Sequence, residues 1–302
     1  MLNSRSLKSR HSTHYPNLSL ERLRHVTQIL QPHNQTVSST MATPARTLEG
    51  KVALVSGSSA GLGAAIIQEL SRRGATVAIN YPFPSEESNA ESVARSLGAA
   101  SKSVIIEADI STPDGPSILA NKTAEAFGKI DILVNCAGIN RMMSLDDPDD
   151  SKIEDSWDAI VRTNGRGTFF LTRAALKHLS RQDSRIINIG SSVSRTPGPD
   201  SSIYAGTKGM IECYTQCWAT ELPRKYGCTV NGVAPGLVGT DAFYAAPQAV
   251  RDALKPIIEA TPVASRVAEA GEVAWTVAML CEKEAGWLNG LYIPVSGGSS
   301  IF

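Results

Sequence analysis

The chain has 302 residues, 42% of them hydrophobic and 19% charged, with 29 basic and 29 acidic side chains and no formal net charge. That composition excludes a wholly disordered chain and leaves room for one large domain or two small ones. Charge is uneven: residues 1–47 hold Arg5, Lys8, Arg10, Arg22, Arg24 and Arg46 against Glu21 alone, which leaves 23 basic and 28 acidic groups, a net of −5, in residues 48–302, so nucleic acid is excluded as the main partner because phosphate neutralisation needs a basic face.

Residues 1–47 are rich in Ser, Arg, His and Asn and carry no dense apolar pattern, so they are expected to be an N-terminal extension outside the folded body at 48–302. Leu18, Leu20, Leu23, Val26, Ile29 and Leu30 could line one amphipathic helix. An Arg- and Ser-rich, acid-poor segment suits a mitochondrial transit peptide. The competing expectations are a disordered extension, or translation from Met41 and a cytoplasmic enzyme. There is no secretory h-region, no peroxisomal address at Ser299-Ser300-Ile301-Phe302, and no apolar run approaching a membrane span.

From Lys51 onward, short β-branched runs alternate with helical patterns. Strands are predicted at Val52–Ser56, Thr76–Asn80, Ser103–Glu107, Ile130–Asn135, Arg185–Ile189, Thr229–Val233 and Leu291–Val295. These runs are nearly continuously apolar, as strands covered on both faces must be. Helices are predicted at Ala64–Arg73, Pro116–Phe127 and Ile203–Tyr226. The alternation implies an α/β fold: a single doubly wound parallel sheet of about seven strands, with helices on both faces.

The first strand runs into Ser56-Gly57-Ser58-Ser59-Ala60-Gly61-Leu62-Gly63, followed by a helix. Glycines permit a tight turn and close approach of backbone to a ligand, and a helix N-terminus offers unpaired N–H groups to a pyrophosphate. Between the first strand and the first helix, the cluster points to a dinucleotide. The same residues hold Gly57-x-Ser59-x-Gly61, the pattern of a hydrolase nucleophile elbow. A serine hydrolase needs a histidine base. His11, His14, His25 and His33 lie in the extension, and His178 sits among Arg173, Lys177 and Arg181 as a solvated helix residue would. The hydrolase is therefore the lesser alternative, beside a non-catalytic dinucleotide-sensing module.

The second strand ends Ile79-Asn80-Tyr81-Pro82, with no acid until Glu86. A carboxylate there would bind the ribose hydroxyls of NAD and repel a 2′-phosphate. Its absence, with Asn80 in its place, favours NADP(H), with NAD(H) as the alternative.

Tyr204 and Lys208 are four residues apart in a predicted helix, on one face and one turn from each other. An ammonium beside a phenol favours the phenolate, which suits the pair to proton transfer.

These motifs, in order, resemble the short-chain dehydrogenase/reductase family, in its 3-oxoacyl-acyl-carrier-protein-reductase-like or carbonyl-reductase-like form, over roughly Leu48 to Ser300. The glycine loop is similar to the family's Thr-Gly-x-x-x-Gly-x-Gly, with Ser56 for Thr. Ala108-Asp109-Ile110 resembles the segment that meets adenine, and Asn135-Cys136-Ala137-Gly138 resembles Asn-Asn-Ala-Gly. Trp157 followed by Asn164 resembles the helix of the active-site Asn. Ser191 precedes Tyr204 by 13 residues, the family's interval. Pro235-Gly236-Leu237-Val238-Gly239-Thr240 resembles the loop under the nicotinamide. Ser192 and Ser194 leave the register of the serine open, and Val295-Ser296-Gly297-Gly298 lacks the family's Asp.

The resemblance implies a Rossmann fold and reversible carbonyl/alcohol interconversion. Tyr204 would exchange a proton with the carbonyl oxygen and Ser191 would hydrogen-bond it. Lys208 would bind the nicotinamide ribose, and Asn164 would anchor a proton-relaying water. The cofactor would be held by Gly57, Ser59, Gly61, Leu62, Gly63, Asn80, Asp109, Ile110, Asn135, Ala137, Gly138, Tyr204, Lys208, Pro235, Gly236, Val238 and Thr240, with no metal. A homo-oligomer, tetramer or dimer, is the family's expectation.

Cys136, Cys213, Cys217, Cys228 and Cys281 form no Cys-x-x-Cys, so they are expected as buried free thiols rather than zinc ligands. Asp146, Asp147, Asp149 and Asp150 lack the glycine and glutamate of a calcium loop and are expected in a solvated loop before a helix. Segments 141–151, 194–202 and 237–258 are expected to frame the substrate pocket, with Phe243, Tyr244, Ala245 and Ala246 as a partly apolar lid.

Overall fold

Seven parallel strands are laid side by side in the order β3-β2-β1-β4-β5-β6-β7. They are β1 (Val52–Val55), β2 (Thr76–Tyr81), β3 (Ser103–Glu107), β4 (Ile132–Asn135), β5 (Ser184–Ile189), β6 (Cys228–Pro235) and β7 (Tyr292–Val295). The structure is a computed structural model and describes residues 46–98 and 101–302. Most of the 1–47 extension lies outside the described residues.

The strand residues alternate between two cores. Ala78, Leu54, Leu133, Ile186 and Val230 are directly paired across β2, β1, β4, β5 and β6. Their row faces α3 (Gly115–Phe127), α5 (Thr168–Ala175) and α6 (Ser202–Glu221) through Leu119, Leu171, Ala175, Trp218 and Ala219. Residues of the opposite face, such as Val55, Ile79, Val134, Ile187 and Val233, pack on α1 (Gly61–Arg72) and α8 (Ala270–Cys281) through Ile66, Ile67, Leu70, Val273 and Val277. Each fully buried aliphatic side chain contributes about 1.5–3 kcal/mol. That is why continuous apolar runs, rather than alternating ones, form these strands.

Helix ends follow local chemistry. Pro116 starts α3, where its missing N–H has no partner to lose, and Gly128 ends it with φ +81°. The predicted helix 203–226 is broken: α6 ends at Glu221 and Pro223 opens a separate turn, Pro223–Tyr226. Proline lacks the N–H the helix needs and restricts the residue before it. Strand β4 begins at Ile132, later than predicted, because Ile130 makes only an isolated bridge to Leu179.

Helices α2 (Glu87–Ser96), α7 (Gln248–Glu259) and α8 were not foreseen from sequence pattern, while α4 (Asp150–Ile160) follows the acidic run and carries Trp157 as expected. Helix α4 continues into α5 through a π-helical turn, Val161–Gly167. Cys228 and Cys281 are buried, but Cys213 and Cys217 are exposed, contrary to the expectation of buried thiols. They project from the face of α6 opposite the sheet, where apolar helix residues have no core to enter.

Among the described residues, no helix is long and apolar enough to cross a membrane, and no group of three or more His, Cys, Asp or Glu could hold a metal ion. The acidic run builds the start of α4. Asp149 Oδ1 accepts from Lys152 N–H at 3.3 Å and Ser151 Oγ at 2.6 Å, and Asp147 pairs with Lys152 at 2.8 Å.

Candidate active site

The strand order reverses between β1 and β4, and loops leaving their carboxyl ends diverge there. A cleft of about 1120 Å³ opens at this edge. Its wall begins with the glycine loop. Gly57 turns at φ +63°, and a Cβ on it would lie 2.8 Å from Ala137 Cα. A Cβ on Gly63 would lie 2.1 Å from the Gly57 carbonyl oxygen. The backbone therefore approaches as closely as only glycine allows. Helix α1 starts without a side-chain cap or an acidic residue in its first turn, and Gly61, Leu62 and Gly63 line the cleft. Uncapped N–H groups at a helix start suit an anionic diphosphate.

Asn80 holds this loop in place. Its Oδ1 accepts from Gly57 N–H at 2.8 Å and its backbone oxygen accepts from Ser58 and Ser59 N–H. Its Nδ2 donates to the carbonyls of Tyr81, Ile106 and Ala108. Asn80 borders the cleft, but its amide is consumed by backbone, so it braces the site. Ser56, given no role by sequence reading, accepts from both Cys136 and Ala137 N–H at 3.0 Å and pins the β4 loop to the β1 loop. No short-range pattern marks such a contact 80 residues away.

Ser59, Asp109, Ile110, Ala137, Gly138, Pro235, Gly236, Val238 and Thr240 all border the cleft. Asp109 also accepts from Ser111 N–H and Oγ at 2.9 Å. Asn135 does not border it: its side chain points under the sheet, donating to Thr172 Oγ1 and Asn188 Oδ1. The last residue of β4 faces the α5 side, which a linear motif cannot reveal. Where the ends of β1, β2 and β3 meet the cleft, the lining residues Gly57, Ser59, Asn80, Pro82, Phe83, Glu86 and Asp109 include no Lys or Arg.

Tyr204 and Lys208 both face the cleft from α6, with Lys208 Nζ 5.7 Å from the centre of the Tyr204 ring. Lys208 is 5% exposed and donates to the Ile189 carbonyl at 2.8 Å. Ser191, two residues beyond β5, lines the cleft beside them; Ser192 and Ser194 do not. Asn164 lies in the π-helical turn behind them, buried. Its amide clamps Ile139, accepting from N–H at 2.9 Å and donating to C=O at 3.0 Å, and also donates to Thr207 Oγ1 at 3.1 Å. A π-turn shifts one residue out of helical register, a device frequent at functional sites.

The cleft thus unites a glycine-lined, uncapped helix start with a Ser–Tyr–Lys group on one sheet edge. Residues 57–300 match a family model described as Enoyl-(Acyl carrier protein) reductase. A short-chain dehydrogenase/reductase, FrzI, of a Cladobotryum species is 36% identical over 260 residues, 84% of this chain and 98% of the relative. The chain belongs to the short-chain dehydrogenase/reductase family.

The 3-oxoacyl-[acyl-carrier-protein] reductase FabG of Haemophilus influenzae is 34% identical, covering 83% of this chain and 98% of that protein. A short chain dehydrogenase from Burkholderia cenocepacia, solved in complex with NADP, matches with TM-score 0.74 at 36% identity over 84% of this chain and 99% of that one. Family membership leaves the nucleophile-elbow reading without support. His178, the one histidine among the described residues, lies at the opposite sheet edge: its carbonyl accepts from Ile130 N–H, ahead of β4, and its ring contacts Asn121.

Two expectations about the substrate end need correction. Of the three framing segments, 141–151 and 237–258 reach the cleft, through Arg141, Leu237, Val238, Thr240, Asp241, Ala242 and Phe243. Segment 194–202 does not, because Ser194 and Arg195 turn toward Glu212. Of the lid residues only Phe243 lines the cleft. Asp155, Asp158, Ala159 and Arg162 of the α4 arm also line it, unforeseen from sequence.

Proposed function

We propose that the chain interconverts a carbonyl and an alcohol by hydride transfer, with NADP(H) as the dinucleotide. The observation that carries this reading is that Ser191, Tyr204 and Lys208 border the same cleft as the uncapped start of α1. Gly57, Ser59, Gly61, Leu62 and Gly63 would hold the diphosphate. Asp109 and Ile110 would meet the adenine end, and Ala137, Gly138, Pro235, Gly236, Val238 and Thr240 the nicotinamide end. The bound dinucleotide supplies the hydride.

The protein's part is proton handling and charge stabilisation. In the reducing direction Tyr204 gives its phenolic proton to the substrate oxygen as negative charge develops there. Ser191 donates a hydrogen bond to the same oxygen. Lys208, held by the Ile189 carbonyl beside the Tyr204 ring, would bind the nicotinamide ribose. Asn164 has its side chain engaged by Ile139 and Thr207, so a relaying water would use its backbone carbonyl. A homo-oligomer, tetramer or dimer, is the proposed assembly.

NADP(H) is supported by the missing carboxylate at the end of β2 and by the relative bound to NADP. The test is a panel of carbonyl substrates followed by NADPH absorbance, repeated with NADH and with Tyr204→Phe. Turnover that vanishes in Tyr204→Phe is the expected outcome. NADPH binding with no turnover of any carbonyl would favour a dinucleotide-sensing module instead.

A further inference from the structure

Ser191 has left the β-ladder. It lies two residues beyond β5, and its own N–H and C=O need partners elsewhere. Its backbone is extended, φ −166° and ψ 151°, a geometry that turns both groups to the same side. One hydroxyl meets them both: Tyr292 Oη, which accepts from Ser191 N–H at 3.0 Å and donates to Ser191 C=O at 3.1 Å.

Tyr292 opens β7, paired in register with Gly232 of β6. Its ring reaches Ser191 because two neighbours lack side chains. A Cβ on Gly190 would lie 2.0 Å from Tyr292 Oη, and one on Gly232 would lie 2.5 Å from its Cδ2. Phe302 stacks on the ring with centroids 5.9 Å apart, and the Arg195 guanidinium covers Phe302 at 5.0 Å. Burial raises the Tyr292 phenol above its ordinary value, so it stays protonated and able to donate at neutral pH.

The contact continues to the catalytic helix. Ser194 Oγ lies 3.1 Å from Tyr292 Oη, 2.9 Å from Ser191 C=O and 3.2 Å from Glu212 Oε2. Glu212 is also bound by Arg195 Nε at 2.7 Å. Glu212 sits on α6 four residues after Lys208 and eight after Tyr204, on the same helical face. Tyr292 and Ser194 therefore couple the serine turn to the face that carries the other two groups.

We propose that Tyr292 is a positioning residue for Ser191, setting where the serine hydroxyl stands relative to Tyr204. The proposal rests on the oxidoreductase reading above. The aromatic ring fills the slot without its hydroxyl, so Tyr292→Phe removes the grip and leaves the packing.

The experiment uses the full chain with its best carbonyl substrate and NADPH, comparing wild type, Ser191→Ala, Tyr292→Phe and the double variant. Tyr292→Phe is expected to lower kcat about tenfold, with substrate KM and NADPH Kd within about twofold of wild type. The double variant is expected to match Ser191→Ala alone, because Tyr292 acts through the serine. An unchanged kcat in Tyr292→Phe, or a double-variant loss equal to the product of the single losses, would overturn the proposal. If Tyr292→Phe does not fold, Ser194→Ala enters the same cycle, and the same two outcomes decide. Should wild type bind NADPH yet reduce nothing, the oxidoreductase reading fails by itself. Hydrogen exchange at the Ser191 amide then decides the contact: faster exchange in Tyr292→Phe supports it, and unchanged exchange overturns it.

Discussion

Lys208 Nζ donates to the Ile189 carbonyl at 2.8 Å while standing 5.7 Å from the centre of the Tyr204 ring. The end of β5 thus locks an ammonium beside a phenol on α6. Removing the phenolic proton donor should cost kcat about a hundred- to ten-thousandfold. Tyr204→Phe is expected to bind NADPH as wild type does, measured by fluorescence titration, and to lose that turnover in steady-state kinetics. Lys208→Met should lose turnover and also weaken NADPH binding, since in the proposed mechanism its ammonium serves both.

Asn80 has the location of a ribose reader but spends its amide on backbone. Asn80→Asp is therefore not expected to convert the enzyme to NAD. A carboxylate cannot donate to the Tyr81, Ile106 and Ala108 carbonyls, and it would face them as an unpaired charge. The variant should lose about 1–3 kcal/mol of stability, seen in urea unfolding, with no gain in NADH affinity by titration.

Cofactor selectivity should be shallow. The end of the cleft proposed for adenosine offers hydroxyl and N–H donors but, among the described residues, no Lys or Arg. A 2′-phosphate met without a cation should gain no more than about 1.4 kcal/mol, a tenfold difference. The ratio of NADH to NADPH dissociation constants, measured at fixed ionic strength, checks this. A ratio in the hundreds would mean that a cation reaches the phosphate by a route other than the cleft lining.

Gly57 combines a positive φ with the nearest approach to Ala137. Gly57→Ala must strain the turn and push the β4 loop away. A loss of roughly 2 kcal/mol or more is expected, together with weaker NADPH binding, by thermal unfolding and titration.

Acid should loosen the start of α8. Arg266 holds the Glu272 carboxyl down to about 2, from 4.5, with the Glu269 N–H as second donor. A depressed carboxylate contributes stability above its unfolded value, and that contribution is lost as pH falls from 4.5 toward 2. Both side chains are nearly half exposed, at 47% and 45%, so solvent screens the pair. The Tm difference between wild type and Glu272→Gln should shrink from pH 5 to pH 3, and shrink again in high salt.

Local chemistry along the chain carried a great deal. Strand positions, the uncapped glycine turn and the pairing of Tyr204 with Lys208 all follow from residue order, because apolar runs, glycine and helical spacing act over a few neighbours. The parallel sheet follows too, since alternation of short apolar runs with helices admits few topologies.

Folding alone settled the rest. It turned Asn135 under the sheet, gave the Asn80 amide to three carbonyls, put Ser191 rather than Ser192 or Ser194 at the cleft, and brought Tyr292 to a serine about 100 residues earlier. Such contacts join segments whose proximity no short stretch encodes. A side chain's direction at a strand end depends on which helix covers it, and a polar group's task depends on which orphaned backbone group lies within reach.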